Sequence, residues 1–399
     1  MFLFSGRFKY MPELAWLPVD LTALCLAIGG GISLVVLVRR PAQLARLVDP
    51  GCQLFLLFLA YAVGSFLWSE YSAFSYAKAL DTATLLAWSF LGAFLVIGPD
   101  PERRRRFVIG LVVLSVGLIA YWGVGRLNAP SAEFYGYDDA RNTYLSYGFH
   151  AQFVALTLLA VAIAEPRRHR MVAALLGALG TVVLMLFIGA RGPMLVVLVA
   201  PLLLTGLALL DPRGQPTRRR MVVIALIWVT LLGLGVAAAR GLFAEQVAQM
   251  NEDLLTLGRM RNYYTIGIDD SLGARLEAQR QALMAWFEMP LFGHGLGSFG
   301  DIDERMLYPH NLAIELLMEL GVVGLGLYVG VVVVALYRLR RSWGPNGADW
   351  VSTVIAVLLI GELVARSTAQ GFLPHDRALF AFLGLAMAWL GPVPPRLVR

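Results

Sequence analysis

Long apolar segments alternate with shorter polar ones along almost the whole chain. A membrane-spanning helix needs about 20 mostly apolar residues, and segments of this kind recur throughout. We predict eleven spans, at residues 19–38, 51–69, 79–98, 107–124, 147–164, 171–189, 193–210, 221–239, 312–337, 350–365 and 378–391. Each is predicted to be a helix, because lipid offers no hydrogen-bond partner to an open backbone N–H or C=O group.

The longest polar stretch separates these spans into two groups. It covers residues 240–310 and is predicted to be one large loop between N-terminal transmembrane helices at 1–239 and C-terminal ones at 311–399. Within it, residues 274–288 have a helical pattern, whereas residues 289–310 are predicted to be irregular. No internal repeat is evident, so we predict a single all-α polytopic membrane domain.

The composition excludes an ordinary soluble protein. Of the 399 residues, 58% are hydrophobic and 15% are charged, with a mean hydropathy of +0.68, and a soluble chain of this size carries far more charge. Cys25 and Cys52 both fall in apolar segments, which predicts neither a disulfide framework nor a metal cluster. Residues 1–10 lack the pattern of a cleaved signal peptide.

Basic residues are concentrated in every second connection. Arginine-rich segments at 39–46, 103–106, 167–170, 213–220 and 338–341, together with the tail, hold more than half of the 33 lysines and arginines. The positive-inside rule makes these segments cytoplasmic. The connections at 125–146, 188–193, 240–310 and 366–377 are then on the outer side.

Arginines on the outer side are candidates for binding an anion. Arg191 lies in a tight turn between two predicted spans, where its guanidinium could grip a phosphate or carboxylate through two parallel hydrogen bonds. The alternative is an anchor to lipid phosphate. Arg275 lies in the first turn of the predicted loop helix, where free N–H groups and the helix dipole favour an anion. Arg280 and Arg261 are weaker candidates.

His310 and Asn311 join the large loop to a span. A neutral imidazole at this position could take a proton from a hydroxyl nucleophile near pH 7, or it could simply lie at the interface. Asn311 is predicted to cap the helix. Glu315 and Glu319 are four residues apart on one helical face, and carboxylates inside a span usually face a polar cavity.

Nucleotide and metal sites are not predicted. The glycines of residues 292–299 lack the strand and helix that flank a dinucleotide fingerprint, so we predict a tight turn at the membrane edge. No His-x-x-x-His pair or carboxylate trio accompanies His310. We therefore predict no cofactor and no nucleic-acid partner. With Arg366 and His375 added, the outer-side cations suit an anionic, lipid-anchored substrate with a pyrophosphate leaving group.

The chain resembles the O-antigen ligase and polymerase superfamily of bacterial polytopic glycosyltransferases. Four segments carry the resemblance: LWSEYSAFSYAK after the second span, IGARGPML at Arg191, GARLEAQRQALMAWFEMPLFGHGLGSF in the large loop, and HNLAIELLMELGVVG from His310. Ligases of this type usually have twelve spans with both ends cytoplasmic. The eleven found here would put the N-terminus outside, unless residues 1–17 are the remnant of a first span or the start is late.

The resemblance implies a GT-C-like bundle of 11–12 transmembrane helices with one large periplasmic loop. It implies metal-independent, inverting transfer of a glycan from undecaprenyl pyrophosphate to a hydroxyl at the periplasmic face of the inner membrane. In the ligase branch the acceptor is lipid A–core oligosaccharide. By the resemblance, Arg191 and Arg275 bind the donor pyrophosphate, and His310 positions or deprotonates the acceptor hydroxyl. Candidates for supporting roles are Asn311, Arg280, Arg261, Glu315, Arg366 and His375.

Other functions stay open at this stage. An O-antigen polymerase would share the donor but use a second lipid-linked glycan as acceptor, and polymerases tend to have a second sizeable outer loop. A protein O-oligosaccharyltransferase tends to be longer. A flippase or transporter of lipid-linked sugar often has inverted repeats and paired broken helices, which the sequence does not indicate. The oligomeric state is not predicted.

Overall fold

The computed structural model describes residues 2–5, 14, 16–70, 72–128, 143–165, 167–188, 192–200, 270–302, 307–342 and 350–388. All regular secondary structure in this part is helical, which confirms the prediction of an all-α chain. The helices are α1 (Leu21–Arg39), α2 (Pro50–Gly64), α3 (Ala73–Ile97, with two π-helical stretches), α4 (Pro101–Asn128), α5 (Thr143–Ala164), α6 (Arg168–Ile188), α7 (192–200), α8 (Asp270–Glu288), α9 (Phe299–Ile302), α10 (Leu312–Ser342), α11 (Trp350–Ala365) and α12 (Arg377–Ala388).

Seven helices in the described residues are long and apolar enough to cross a membrane: α1, α2 with the turn after it, α3, α5, α6, α10 and α11. They coincide with seven of the predicted spans, so the chain is a polytopic membrane protein. The predicted span 107–124 lies within α4, and 378–391 largely coincides with the shorter apolar helix α12. The predicted span 221–239 and most of 193–210 lie outside the described residues, so the total of eleven stays a prediction.

The chain forms two compact units. The first unit contains the described residues of the ranges 1–107, 270–342 and 365–399, and the second contains those of the ranges 108–269 and 343–364. In the second unit, α5 and α11 are largely buried. There the imidazole Nδ1 of His150 lies 3.1 Å from the hydroxyl oxygen of Ser115, so this unit contains a buried polar pair.

Helix α12 is the centre of the first unit. All of its residues are buried although it is only 12 residues long. Its Phe380 ring lies 6.0 Å from Phe55 and 6.1 Å from Phe58, both in α2, and Phe55 stacks on Phe90 of α3 at 3.7 Å. Aromatic side chains of this size bury large apolar areas, which holds α2 and α3 around α12.

The predicted cytoplasmic arginines meet at one end of the first unit. Arg338, near the end of α10, forms an ion pair with Asp49 at 2.7 Å and donates a hydrogen bond to the carbonyl of Met387. Arg46 donates to the carbonyl of Ala388. His310 precedes the opposite end of α10, so the basic cluster and the candidate base lie at opposite ends of one helix, as the charge pattern predicted.

Helix α10 is broken at Gly321. The backbone there has φ 66° and ψ −170°, which divides the helix into residues 312–320 and a longer second part. A break leaves helical N–H and C=O groups without their usual partners, at a cost of several kcal/mol each in an apolar environment. The hydropathy pattern predicts one continuous span at 312–337, so the break is a difference from that prediction.

The loop after α8 satisfies the groups at this break. His294 and Gly295 donate their N–H groups to the carbonyls of Met318 and Glu319, at 3.1 and 2.8 Å. In the other direction, the N–H groups of residues 322 and 323 donate to the carbonyls of residues 290 and 291, at 2.9 and 3.2 Å. The glycine-rich segment is therefore a turn, as predicted, but its role is to fill the gap in α10.

Glycine is required at this turn. Residues 293, 295 and 297 all have positive φ, which side-chain-bearing residues rarely adopt. A Cβ atom on Gly295 would lie 2.6 Å from the Cα of Ser69. The turn therefore fixes the distance between α8, α10 and the end of α2.

Candidate active site

The candidate site begins at the N-terminus of α10. The Asn311 side chain accepts hydrogen bonds from the N–H groups of Ala313 and Ile314 at 3.1 and 3.3 Å, which makes it the predicted cap. Its amide nitrogen donates to the carbonyl of Ser367 at 2.7 Å. One side chain thus both starts α10 and holds the turn at Arg366–Gln370 against it.

His310, just before the cap, has a strained backbone. Its φ is 57°, and it is the one non-glycine residue with positive φ in the described part of the chain. Such a conformation costs roughly 1–3 kcal/mol and persists only where the surroundings enforce it. Strain of this kind clusters at functional sites, which favours a functional role for His310 over that of a simple cap.

A stack of aromatic rings fixes the His310 side chain. The imidazole centre lies 4.2 Å from the ring of Tyr308, and Tyr308 lies 4.7 Å from the ring of Phe372. Phe372 in turn meets the ring of His375 edge-on at 4.7 Å. The order of the stack is therefore His310, Tyr308, Phe372, His375, and it joins two segments that are distant in sequence.

Arg275 is close enough for its charge to act on both Tyr308 and His310. Burial, and then the positive charge of Arg275, lower the pKa of His310 from 6.5 to about 4. Burial raises the pKa of Tyr308, and nearby Glu315 raises it further. Near pH 7 the imidazole is thus neutral, and it can accept a hydrogen bond from a hydroxyl group.

A second charged pair borders the same site. The Nε atom of Arg366 lies 3.1 Å from Oδ1 of Asp376, and both side chains are buried. The two charges act on the phenol of Tyr308. The pair therefore ties the turn after α11 to the segment that leads into α12 and places a second guanidinium near the aromatic stack.

The two glutamates of α10 face a lysine. The Nζ atom of Lys78 lies 2.6 Å from Oε1 of Glu315 and 2.7 and 2.8 Å from the two carboxylate oxygens of Glu319, and all three side chains are buried. The two glutamates predict a polar cavity here, but Lys78 was not among the predicted site residues. The signal was present, because Lys78 is one of two lysines among 33 basic residues and directly precedes the predicted span 79–98.

The structure brings together six of the predicted site residues within the first unit: Arg275, His310, Asn311, Glu315, Arg366 and His375. Arg280 is exposed and forms an ion pair with Glu277 at 2.8 Å on the surface of α8. Arg191 and Arg261 lie outside the described residues.

An apolar groove adjoins the loop that fills the break. It has a volume of about 620 Å³ and is lined by Tyr61, Trp68 and residues 289–293. Tyr61 donates its hydroxyl hydrogen to the carbonyl of Leu320 at 2.9 Å, so the groove wall is fixed to the break in α10.

The fold and site define a polytopic helical membrane protein with a neutral histidine held among arginines at one end of a helical unit. A family model described as O-antigen ligase matches residues 173–329, which include Arg191, Arg275 and His310. The match supports membership of the O-antigen ligase superfamily and confirms the resemblance noted in the sequence. It also supports a ligase- or polymerase-type function in lipopolysaccharide biosynthesis, by glycosyltransferase-like chemistry. No curated protein matches the chain.

Proposed function

We propose that the protein is an O-antigen ligase. It transfers a glycan from undecaprenyl pyrophosphate to a sugar hydroxyl of lipid A–core oligosaccharide at the periplasmic face of the inner membrane. The observation that carries the proposal is the neutral, sterically fixed imidazole of His310 beside the guanidinium of Arg275. A hydrogen-bond acceptor next to a fixed cation suits a reaction in which a hydroxyl attacks and an anion departs.

The donor pyrophosphate is assigned to the arginines. Arg275 supplies one guanidinium in the site, and Arg191 is expected to supply a second, by the family resemblance. In the reaction the acceptor oxygen bonds to the anomeric carbon while the bond from that carbon to the pyrophosphate oxygen breaks. The leaving group gains negative charge, which a guanidinium stabilises through two parallel hydrogen bonds.

The acceptor hydroxyl is assigned to His310. The neutral imidazole accepts the hydrogen bond of the hydroxyl and thereby directs one oxygen lone pair at the anomeric carbon. A group whose pKa is about 4 holds a proton weakly. We therefore propose that His310 orients the hydroxyl and receives its proton only as the new bond forms, after which the proton passes to the pyrophosphate or to water.

Charge placement and the apolar groove support the membrane location and the lipid-linked donor. The basic cluster at Arg338 and the candidate site are at opposite ends of α10, which supports a site on the periplasmic side under the positive-inside rule. The groove at Tyr61 and Trp68 suits part of a polyprenyl chain. The break in α10 does not favour a transporter, because backbone groups of residues 290–295 already fill it.

The test uses the purified protein in lipid nanodiscs with undecaprenyl-pyrophosphate glycan and rough lipopolysaccharide, without nucleotide or added metal. Gel electrophoresis should reveal lipopolysaccharide that carries the glycan, and His310→Ala should abolish this product. Arg106→Gln is the control, because the Arg106 side chain is 76% exposed and its ion pair with Glu102 at 3.0 Å lies on the surface. Lengthened donor without modified lipopolysaccharide would indicate a polymerase instead, and the absence of both products would favour transport.

A further inference from the structure

Lys78 links α3 to α10 through an ion triad inside the first unit. Its ammonium group has three N–H donors, and they meet one oxygen of Glu315 and both oxygens of Glu319 at 2.6–2.8 Å. The side-chain exposures of the three residues are 0%, 0% and 1%. Two carboxylates on successive turns of one helix repel each other, so they are held together only while the lysine lies between them.

Glu315 is the member of the triad that connects to the site. Its Oε1 atom, already bound by Lys78, also accepts the N–H of Leu373 at 3.2 Å. Its Oε2 atom has no hydrogen-bond partner among the residues that the structure describes, although it is buried. Glu315 also acts electrostatically on Tyr308. The triad thus anchors the backbone of the segment that carries Phe372.

Lys78 also contacts that segment directly. Its Nζ atom lies 5.0 Å from the centre of the Phe372 ring, within the range of a cation–π interaction. The Phe372 ring packs against Tyr308, and Tyr308 packs against His310, with the ring planes tilted by 32° and 45°. Two routes therefore run from Lys78 to the imidazole: one through Glu315 and the N–H of Leu373, and one through the face of Phe372.

We infer that Lys78 is a positioning residue for the transfer reaction: the buried triad holds Phe372 and Leu373 in place, and these hold the Tyr308–His310 stack in the geometry that receives the acceptor hydroxyl. Lys78 does not touch the substrate. The inference rests on the proposed function for its kinetic test but not for its structural one. Displacement of a reactive group by about 1 Å can reduce a rate roughly 100-fold, so the effect is measurable.

The charged and titratable groups around the stack come from several elements. Arg275 projects from α8, and Glu315 from α10. The segment at 366–376 contributes Arg366, His375 and Asp376. Lys78 itself is not among the groups whose charge acts on His310. A substitution at Lys78 should therefore affect the imidazole by changing the position and the burial of the His310 side chain.

The first variant is Lys78→Met, which removes the ammonium group and leaves two buried carboxylates. We expect kcat for transfer to fall about 100-fold while KM for the donor changes little, because Arg275 is untouched. We also expect a change in the acid limit, which is the pH below which the rate falls because His310 is protonated. It should move from about pH 4 towards 6.5, since a looser stack exposes the imidazole to water. Lys78→Arg, which keeps the charge, should recover part of the rate.

A second variant keeps the test decisive if Lys78→Met fails to fold. The triple variant Lys78→Met, Glu315→Gln, Glu319→Gln removes all three charges and leaves no buried ion unpaired. We expect it to insert and melt cooperatively but to retain the slow rate and the raised acid limit. Arg338→Met is the control, because it breaks the Arg338–Asp49 pair at the other end of α10 and should alter neither quantity.

The outcomes separate clearly. A triple variant with the wild-type kcat and the wild-type acid limit would overturn the inference and make the triad purely structural. The same would follow if Arg338→Met produced an equal change. If the wild-type protein transfers no glycan at all, the proposed function fails, but the positioning role is still tested by the His310 pKa, which carbon-13 NMR of labelled histidines measures without any substrate. An unchanged His310 pKa in the triple variant would then refute it.

Discussion

The titration of His310 gives a direct test of the site. Two causes lower its pKa from 6.5 to about 4: burial, which is the larger, and the positive charge of Arg275. One pKa unit corresponds to 1.36 kcal/mol, so the surroundings disfavour the imidazolium by roughly 3 kcal/mol. The perturbation that separates the two causes is Arg275→Met, which removes the charge and keeps a side chain of similar length.

The expected change in the pKa of His310 follows from the relative size of its two causes, burial and the charge of Arg275. Because burial dominates, the loss of Arg275 should restore less than half of the difference, so the pKa of His310 should rise by no more than about one unit. The chain has five histidines, and His310→Asn identifies the resonance of His310 among them. Carbon-13 NMR of histidine-labelled protein in detergent, recorded from pH 3.5 to 8, then yields both values.

Two results would refute this account. A wild-type pKa near 6.5 would mean that the imidazole is open to water and that the stack does not enclose it. An unchanged pKa in Arg275→Met would mean that the guanidinium is too far from His310 to act with it on one substrate. Arg280→Met is the matched control on the same helix, because Arg280 is exposed and paired with Glu277; it should leave the titration unchanged.

The same pKa predicts the pH dependence of stability. The unfolded chain binds a proton at His310 near pH 6.5, but the folded protein does so only near pH 4. The unfolded state is therefore the more protonated one between these values, and the free energy of unfolding must fall as the pH drops through this window. Below about pH 4 the contribution is fully lost. His310→Asn should remove this part of the pH dependence from thermal melting curves.

Three further substitutions test the surrounding structure by thermal unfolding. Gly295→Ala should destabilise the protein by several kcal/mol, because its Cβ would lie 2.6 Å from the Cα of Ser69 at a φ of 94°; a near-neutral effect would contradict the close approach. Asn311→Ala should lower the free energy of unfolding by about 0.5–2 kcal/mol through loss of the helix cap. An unchanged melting temperature would argue against a capping role for Asn311. Asp376→Asn should cost about 3–5 kcal/mol because it removes the charge of a buried carboxylate that lies 3.1 Å from Arg366. Arg366→Met in the same chain should recover part of that loss, and no recovery would show that this pair is not the cause.

The spans could be predicted because they depend on local composition. An apolar segment of about 20 residues is long enough to cross a membrane whatever its neighbours are. The break at Gly321 could not be predicted in this way, since the same apolar segment also contains Gly324, Gly326 and Gly330. Which glycine breaks the helix depends on where residues 290–295 supply replacement hydrogen bonds, and that is a property of tertiary structure.

In the candidate site, too, local interactions could be predicted from the sequence, whereas contacts between distant segments could not. The cap at Asn311 is a local interaction, and the sequence predicts it correctly. The stack of His310 and Tyr308 on Phe372, by contrast, depends on the packing of two distant segments. Lys78 was overlooked for a related reason. Two glutamates one turn apart predict a polar partner, but nothing local identifies that partner as a lysine on another helix.

The filled break in α10 gives a physical reason for the pairing of Arg275 with His310. Arg275 lies near the start of α8, and Ala278 and Ala282 of the same helix pack on Met318 of α10. The loop that follows α8 is hydrogen-bonded on both sides of Gly321. Helix α8 therefore cannot slide along α10 without breaking backbone hydrogen bonds in an apolar environment, which is costly. The guanidinium and the imidazole thus lie on elements that are hydrogen-bonded and packed against each other, and a reaction that needs both gains when their separation is set before the substrates bind.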